Sequence, residues 1–305
     1  MRRAAWWLGL LWLAWTGCAP GRDGDDGRLR VVCTTGMITD LATRVGGGQI
    51  VCQGLMGPGV DPHLYKATAG DVERLSRADL VLYNGLHLEA RLAEVFAHLP
   101  GARSAALGER LPGAAPLLGP DGHAPDPHIW FDVSLWSLVA RRIGEELAAA
   151  DSANAAGYRA RAAALGDSLL ALHAEILTRV SQLPPERRLL VTAHDAFQYF
   201  GRAYGFEVRG LQGISTAAEA GARDVQALAT LLVERRVPAI FVESSVPRRT
   251  LEAVLEAARA RGAHVRLGGE LFSDALGDGG TPEGTYAGMV RHNVDTILGA
   301  LEEQP

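Results

Sequence analysis

Lysine is almost missing from this 305-residue chain: Lys66 stands alone among 30 lysines and arginines. It sits in His-Leu-Tyr-Lys-Ala and follows no glycine-rich loop, which excludes a phosphate-binding loop. Excess positive charge is missing too. The formal net charge is -5, and nucleic-acid binding needs basic patches, so no nucleic-acid partner is expected. There is no Gly-x-Ser-x-Gly elbow and no dinucleotide fingerprint. The apolar run Ala4 to Trp15 is shorter than the roughly 20 residues of a membrane-spanning helix. What is abundant is core material: 48% hydrophobic against 21% charged residues argues for a folded chain, long enough for one large domain or two modest lobes.

Arg2 and Arg3 precede that apolar run, and Thr16-Gly17-Cys18 follows it, the pattern of a secretory signal over residues 1–17. Gly17-Cys18 resembles the end of a bacterial lipobox, in which the cysteine is lipidated and becomes the mature N-terminus. Trp15 departs from that pattern, which usually has an aliphatic residue there; the alternative is ordinary cleavage with Cys18 incidental. Residues 18–28, rich in Gly and Asp, read as a flexible tether. Cys33 and Cys52 both fall in β-like runs. A disulfide fits an exported compartment, but two buried free thiols on neighbouring strands are favoured, because free cysteine behaves as a small hydrophobe.

From residue 29 short apolar runs alternate with helical spacing. Strands are expected at Arg30–Thr34, Ile50–Leu55 and Leu80–Tyr83, and helices at Gly36–Val45 and from Thr68, where Thr68 and Asp71 form a capping box. Such alternation predicts a parallel sheet covered by helices. Leu111 to Pro127 reads as a surface loop. Two helical stretches follow from Val133, with a break near Asp151-Ser152, and the second runs from Asn154 to Gln182 until Pro184-Pro185 stops it. At 1.5 Å per residue it spans about 40 Å, the length of a connector between lobes. Alternation then restarts, with strands at Leu189–Thr192, Phe206–Arg209, Ala239–Val242 and His264–Leu267, and a closing helix at Thr285–Glu302. The expected fold is α/β: an N-terminal lobe over 29–150, a connecting helix over 151–185 and a C-terminal lobe over 186–305. Ligands of open α/β sheets gather at the carboxyl ends of strands, which places a site between the lobes.

Four polar residues follow predicted strands or the long loop, two from each lobe: His63, His128, His194 and Asp274. Three imidazoles and one carboxylate suit a borderline divalent ion such as zinc or manganese, not calcium or magnesium. None of the spacings is that of a zinc finger or a His-Glu-x-x-His helix. The repeated Asp-Pro-His at 61–63 and 126–128 carries more, since proline stiffens the loop that presents each imidazole. His87 reads as packing or as a neighbour of the cleft. Asp195 is a candidate acceptor for His194 or a helix cap, and Glu243-Ser-Ser245 is a candidate cleft lining or hydrogen-bond partner.

Leu55-Met-Gly-Pro-Gly-Val-Asp-Pro-His-Leu-Tyr65, Ala69-Gly-Asp71, Tyr83-Asn-Gly-Leu-His-Leu-Glu89, Pro127-His-Ile-Trp-Phe-Asp132, Thr192-Ala-His-Asp-Ala-Phe197 and Gly269-Glu-Leu-Phe-Ser-Asp274 resemble the zinc/manganese-binding lipoproteins of ABC importers, the TroA-like subgroup in particular. The resemblance runs from Arg30 to Leu301. It implies two α/β lobes joined by a long rigid helix, with Zn2+ or Mn2+ carried between them by His63, His128, His194 and Asp274 and delivered to the membrane subunits of an ABC permease. It also implies a lipid anchor at Cys18 and a periplasmic or cell-surface location; a monomer is expected. A histidine at position 194 favours zinc, while the loop before His128 holds only His123, unlike the His-rich loop of zinc-specialised members. The competing expectations are a metal-dependent hydrolase using the same residues and a surface adhesin. Four protein donors would close a tetrahedral shell, which suits carriage over catalysis.

Overall fold

A computed structural model of the chain describes residues 27–97, 103–109, 111, 117–119 and 125–302. The signal segment, Cys18, His98 and His123 lie outside the described residues. The first lobe runs β1 (Leu29–Cys33), α1 (Gly36–Gly46), β2 (Ile50–Gly54), α2 (Ala69–Ser76), β3 (Leu80–Tyr83), α3 (Ala93–Ala97) and β4 (Arg103–Ala106). Its strands form one parallel sheet in the order β2-β1-β3-β4. Val31, Val32 and Cys33 in β1 and Leu80, Val81 and Leu82 in β3 are all buried, as expected of central strands covered on both faces. Thr68 and Asp71 form the capping box that starts α2. Neither α3 nor β4 is legible in the sequence. Arg-Ser-Ala-Ala carries no β-branched or aromatic residue, and β4 is a strand because β3 offers it an edge.

Two long helices follow. α4 (Val133–Ala150) is capped by Asp132, whose carboxylate accepts from the backbone of Ser134 and Leu135. α5 (Ala155–Val180) has 26 residues, about 39 Å of helix. Asp151 makes the break between them, accepting from Asn154 and Tyr158 at 2.7 Å each. α5 packs along α4 and also touches α1 of the first lobe and α6 (Gln198–Tyr204) of the second.

The second lobe contains β5 (Leu189–His194), then α6, β6 (Glu207–Gln212), α7 (Ala222–Glu234), β7 (Ala239–Glu243), α8 (Arg249–Arg259), β8 (Arg266–Leu271) and α9 (Tyr286–Glu302). β5 pairs with β6 and β7 with β8, all parallel, and β5 and β7 run side by side without a ladder between them. β8 lies further along the chain than its sequence suggests. Gly268-Gly269, which reads as a strand end, is an irregularity in the ladder with β7: Ile240 pairs with Leu267 and Phe241 with Gly269. A Cβ at Gly268 would sit 2.6 Å from the Phe241 ring and 2.9 Å from Ala300 of α9, so only glycine allows α9 to close over the strand.

The principal apolar core belongs to both lobes. Ile38 of α1, Trp136 of α4, Ile176 of α5, Phe197, Phe241 of β7 and Ile297 of α9 form one contiguous cluster. Phe131 and Phe197 stack with centroids 4.1 Å apart, joining the segment before α4 to the segment before α6. A smaller apolar cluster lies in each lobe. The fold is thus α/β with parallel sheets in two lobes and a long helix, as the sequence predicts, around a core that the lobes share.

Candidate metal centre

The first Asp-Pro-His turn closes on itself. The backbone N–H of His63 donates to Asp61 Oδ1 at 2.8 Å, while Asp61 Oδ2 accepts from the Thr216 hydroxyl of the other lobe at 2.6 Å. The second turn repeats the backbone bond, His128 N–H to Asp126 Oδ1 at 2.9 Å, but here the same oxygen also lies 2.7 Å from His128 Nδ1. A carboxylate at Nδ1 makes that nitrogen the donor, and leaves the Nε2 lone pair free to face the cleft.

His194 ends β5, and Glu243, which ends β7, holds it in two places. Oε1 accepts the backbone N–H at 2.8 Å and Oε2 lies 2.5 Å from Nδ1. Gly210 of β6 permits the close approach on the other side, since a Cβ there would sit 2.5 Å from the Asp195 nitrogen. Asp274 follows β8 in a turn fixed from several directions. Asn293 of α9 accepts from the Phe272 N–H at 2.9 Å and donates to its carbonyl at 2.8 Å, and the Trp130 indole donates to the Ser273 carbonyl at 2.9 Å.

These elements bring the four residues together. One donor atom from each of His63, His128, His194 and Asp274 lies within 4.8 Å of the others. The Nε2 atoms of His63 and His128 are 3.2 Å apart, and the carboxylate of Asp274 lies 3.9, 3.5 and 3.3 Å from the Nε2 atoms of His63, His128 and His194. Donors on a tetrahedron around a zinc ion at about 2.05 Å are separated by roughly 3.3 Å, so the cluster has the size of a first coordination shell. All four are buried: His63 is 7% exposed, Asp274 2%, and His128 and His194 0%. His194 Nε2 and both oxygens of Asp274 have no hydrogen-bond partner among the described residues, although such buried groups are normally satisfied. A divalent cation fits these donors.

Electrostatics point the same way. Burial pushes the His63 imidazole down to about 4, and its histidine neighbours add to this, so it is neutral at physiological pH. Burial works against protonation of His194 as well, but Glu243 and Asp274 outweigh it and hold the ring well above the usual histidine range. Burial would raise Asp274, and the three imidazoles overcome it, holding its carboxyl well below the usual range. The two carboxylates therefore favour positive charge at His194, which a cation bound among these donors would supply.

Other histidines stand apart. His87 is exposed, in a left-handed backbone conformation (φ 64°); His173 contacts the Tyr204 hydroxyl at 3.1 Å, and His292 the Glu270 carbonyl at 3.0 Å. Asp195 accepts from the Gln198 side chain at 2.7 Å and supports the start of α6; the acceptor at the His194 ring is Glu243. Cys33 and Cys52 are free thiols with sulfurs 3.6 Å apart. Sequence reasoning missed Asp126 as a ring acceptor, Trp130 as a cross-lobe donor and the Thr216–Asp61 contact. Only the first left a signal, an aspartate two residues before a histidine.

The family described as zinc-uptake complex component A, periplasmic, matches residues 31–300. The zinc-binding protein TroA of Treponema pallidum is 53% identical over 277 residues, covering 90% of each chain. The manganese-binding lipoprotein MntA of Bacillus subtilis is 44% identical over 292 residues, covering 95% of each. The solved structure of the periplasmic zinc-binding protein TroA from Treponema pallidum superposes with a TM-score of 0.87 at 52% identity, covering 90% of this chain and 99% of that one. The chain belongs to the zinc-uptake component A family, as a TroA-like metal-binding, solute-binding protein of ABC importers.

Proposed function

We propose that this chain is an extracytoplasmic lipoprotein that captures one Zn2+ or Mn2+ ion with His63, His128, His194 and Asp274 and delivers it to an ABC-type import permease. The observation that carries the reading is the buried cluster itself: three imidazole nitrogens and a carboxylate within 4.8 Å, with neither carboxylate oxygen hydrogen-bonded among the described residues. Relatives named as metal-binding lipoproteins of ABC transporters support delivery to a permease and an anchor at Cys18. Among the described residues no helix is long and apolar enough to cross a membrane. The ion would sit between a lobe at 29–150 and a lobe at 186–305, with 151–185 as the connector. Four protein donors leave a tetrahedral ion no position for a reacting water, and Glu243, one candidate base, is committed to His194. Carriage therefore fits better than hydrolysis.

Calorimetry on the mature chain and on single alanine variants of the four residues tests the reading. Zinc-site binding free energies of ~10–16 kcal/mol divide into about 3 kcal/mol per donor, so each variant is expected to bind on the order of a hundredfold more weakly. Unchanged zinc and manganese affinity in these variants would sink the assignment.

A further inference from the structure

The two Asp-Pro-His turns use their carboxylates differently. Asp126 puts one oxygen on both the backbone and the ring of His128, and its other oxygen has no partner among the described residues. Asp61 puts one oxygen on the backbone of His63 and the other, at 2.6 Å, on the Thr216 hydroxyl of the opposite lobe. Thr216 lies in the 213–221 connection between β6 and α7. It is buried, at 8% exposure, while Ser215, Ala217, Ala218 and Glu219 beside it are exposed. A buried hydroxyl in an otherwise solvated connection, turned onto a carboxylate across the cleft, is a closure.

Its position decides what it closes. His63 is the most exposed of the four candidate donors, so the cleft is thinnest there. Besides an Arg202–Asp132 contact at 3.4 Å and a Tyr286 N–H to Asp40 bond at 3.1 Å, the polar links between the lobes include three from fully buried rings: Trp130 to the Ser273 carbonyl, Tyr199 to the Asp126 carbonyl, and Tyr286 to the Trp130 carbonyl. Parting those would tear the shared core. The Thr216–Asp61 bond can open by motion of a connection that has no aromatic anchor.

Resting on the reading of the site as a metal carrier, we propose that Thr216 gates it. Its hydrogen bond to Asp61 opens for an ion to pass His63, and the lobes keep their relative position while it does so. The threonine acts through Asp61 and the His63 turn and touches no ion itself.

The test is release of zinc from the full mature protein to a chromophoric chelator, followed by stopped flow. Thr216→Val keeps the shape and removes the donor, and is expected to release zinc about tenfold faster, the effect of losing one hydrogen bond to a charged group. Thr216→Ser restores the hydroxyl and is expected to stay within about twofold of the parent protein. Equilibrium affinity should fall by less than the release rate rises, because entry also speeds up. Hydrogen exchange on metal-free protein gives a second readout: the valine variant should exchange faster at 57–63 and 213–221, with α4 and α5 unchanged. Unchanged release in the valine variant, or equal acceleration in both variants, overturns the gate. If the parent protein takes up no zinc, the carrier reading fails instead, and exchange still decides whether the bond holds the cleft shut.

Discussion

His128 takes its ring acceptor from Asp126, two residues earlier, whereas His194 takes its acceptor from Glu243, 49 residues later on a neighbouring strand. The chemistry is the same, a carboxylate on Nδ1 that turns Nε2 toward the cleft. The structural cost differs. The first arrangement is complete once the turn from Asp126 to His128 has formed. The second exists only when β5 and β7 lie side by side, and Glu243 supplies with its side chain a bond that no ladder between those strands provides. One lobe therefore builds its donor locally, and the other makes its donor conditional on tertiary structure.

Isosteric amides break this comparison most sharply. In Asp126 a single oxygen serves both contacts, so Asp126→Asn can keep both bonds with its carbonyl and lose only the charge. In Glu243 each oxygen serves one contact. Glu243→Gln must set an NH2 group against the backbone N–H or against Nδ1, and in the second case it imposes the tautomer that blocks Nε2. From the range for such supporting groups, zinc affinity is expected to fall about a hundredfold in Glu243→Gln and about tenfold in Asp126→Asn. Competition titrations giving equal losses would contradict the distinction.

Proton linkage gives an intermediate effect. His194 is held above the usual histidine range and His63 at about 4, so zinc taken up at the proposed site near neutral pH is expected to displace a proton from the C-terminal lobe. Calorimetry in buffers of different ionisation enthalpy should show release of about one proton per ion, and affinity should weaken by about tenfold per unit as pH falls below the His194 value. A heat that does not depend on buffer would refute this. For the metal-free protein the signs differ by group. The raised pKa of His194 contributes stability that is full below about 6.5 and is lost as pH rises through its folded value. The depressed carboxyl of Asp274 contributes stability that is present above about 3.8 and is lost as pH falls through its folded value. His63, depressed by burial, works against the folded state as pH falls from about 6.5 toward 4.

Trp130→Phe makes the smallest change. It keeps an aromatic ring beside His128 but loses the indole bond to the Ser273 carbonyl, a link between the two sides of the cleft. Leaving that carbonyl without its donor should cost about 1–2 kcal/mol of stability in denaturant unfolding, with the zinc site still able to load. A variant as stable as the parent would show that the bond contributes nothing net.

Local signals made much of the fold legible. Apolar alternation placed β3, the Thr68–Asp71 box placed α2, and the polar break at Asp151 separated α4 from α5. What stayed hidden depended on partners distant in sequence. β4 needs the edge of β3, and Gly268-Gly269 reads as a strand end until α9 is seen to demand the space. The four clustered residues were individually visible as polar groups after strands or a long loop. Glu243 could be flagged from sequence as near the cleft but not assigned to His194, because only the packing of β5 on β7 joins them. Thr216 left no trace, since a lone threonine in a polar loop has many ordinary uses.

The shared core also sets an order of assembly. α9, the last element, places Val294, Ile297, Leu298 and Leu301 in the same cluster as Ile38 and Leu41 of α1. The inner face of the first lobe is therefore complete only when α9 packs against it. Domains that complete themselves early tend to fold during synthesis, N-terminal first. Here α1 is expected to reach its full packing only once α9 is in place, which delays that completion. For a protein exported as proposed above, the delay is useful: a polypeptide threaded unfolded through a membrane cannot lock prematurely around a core whose final wall is still on the other side.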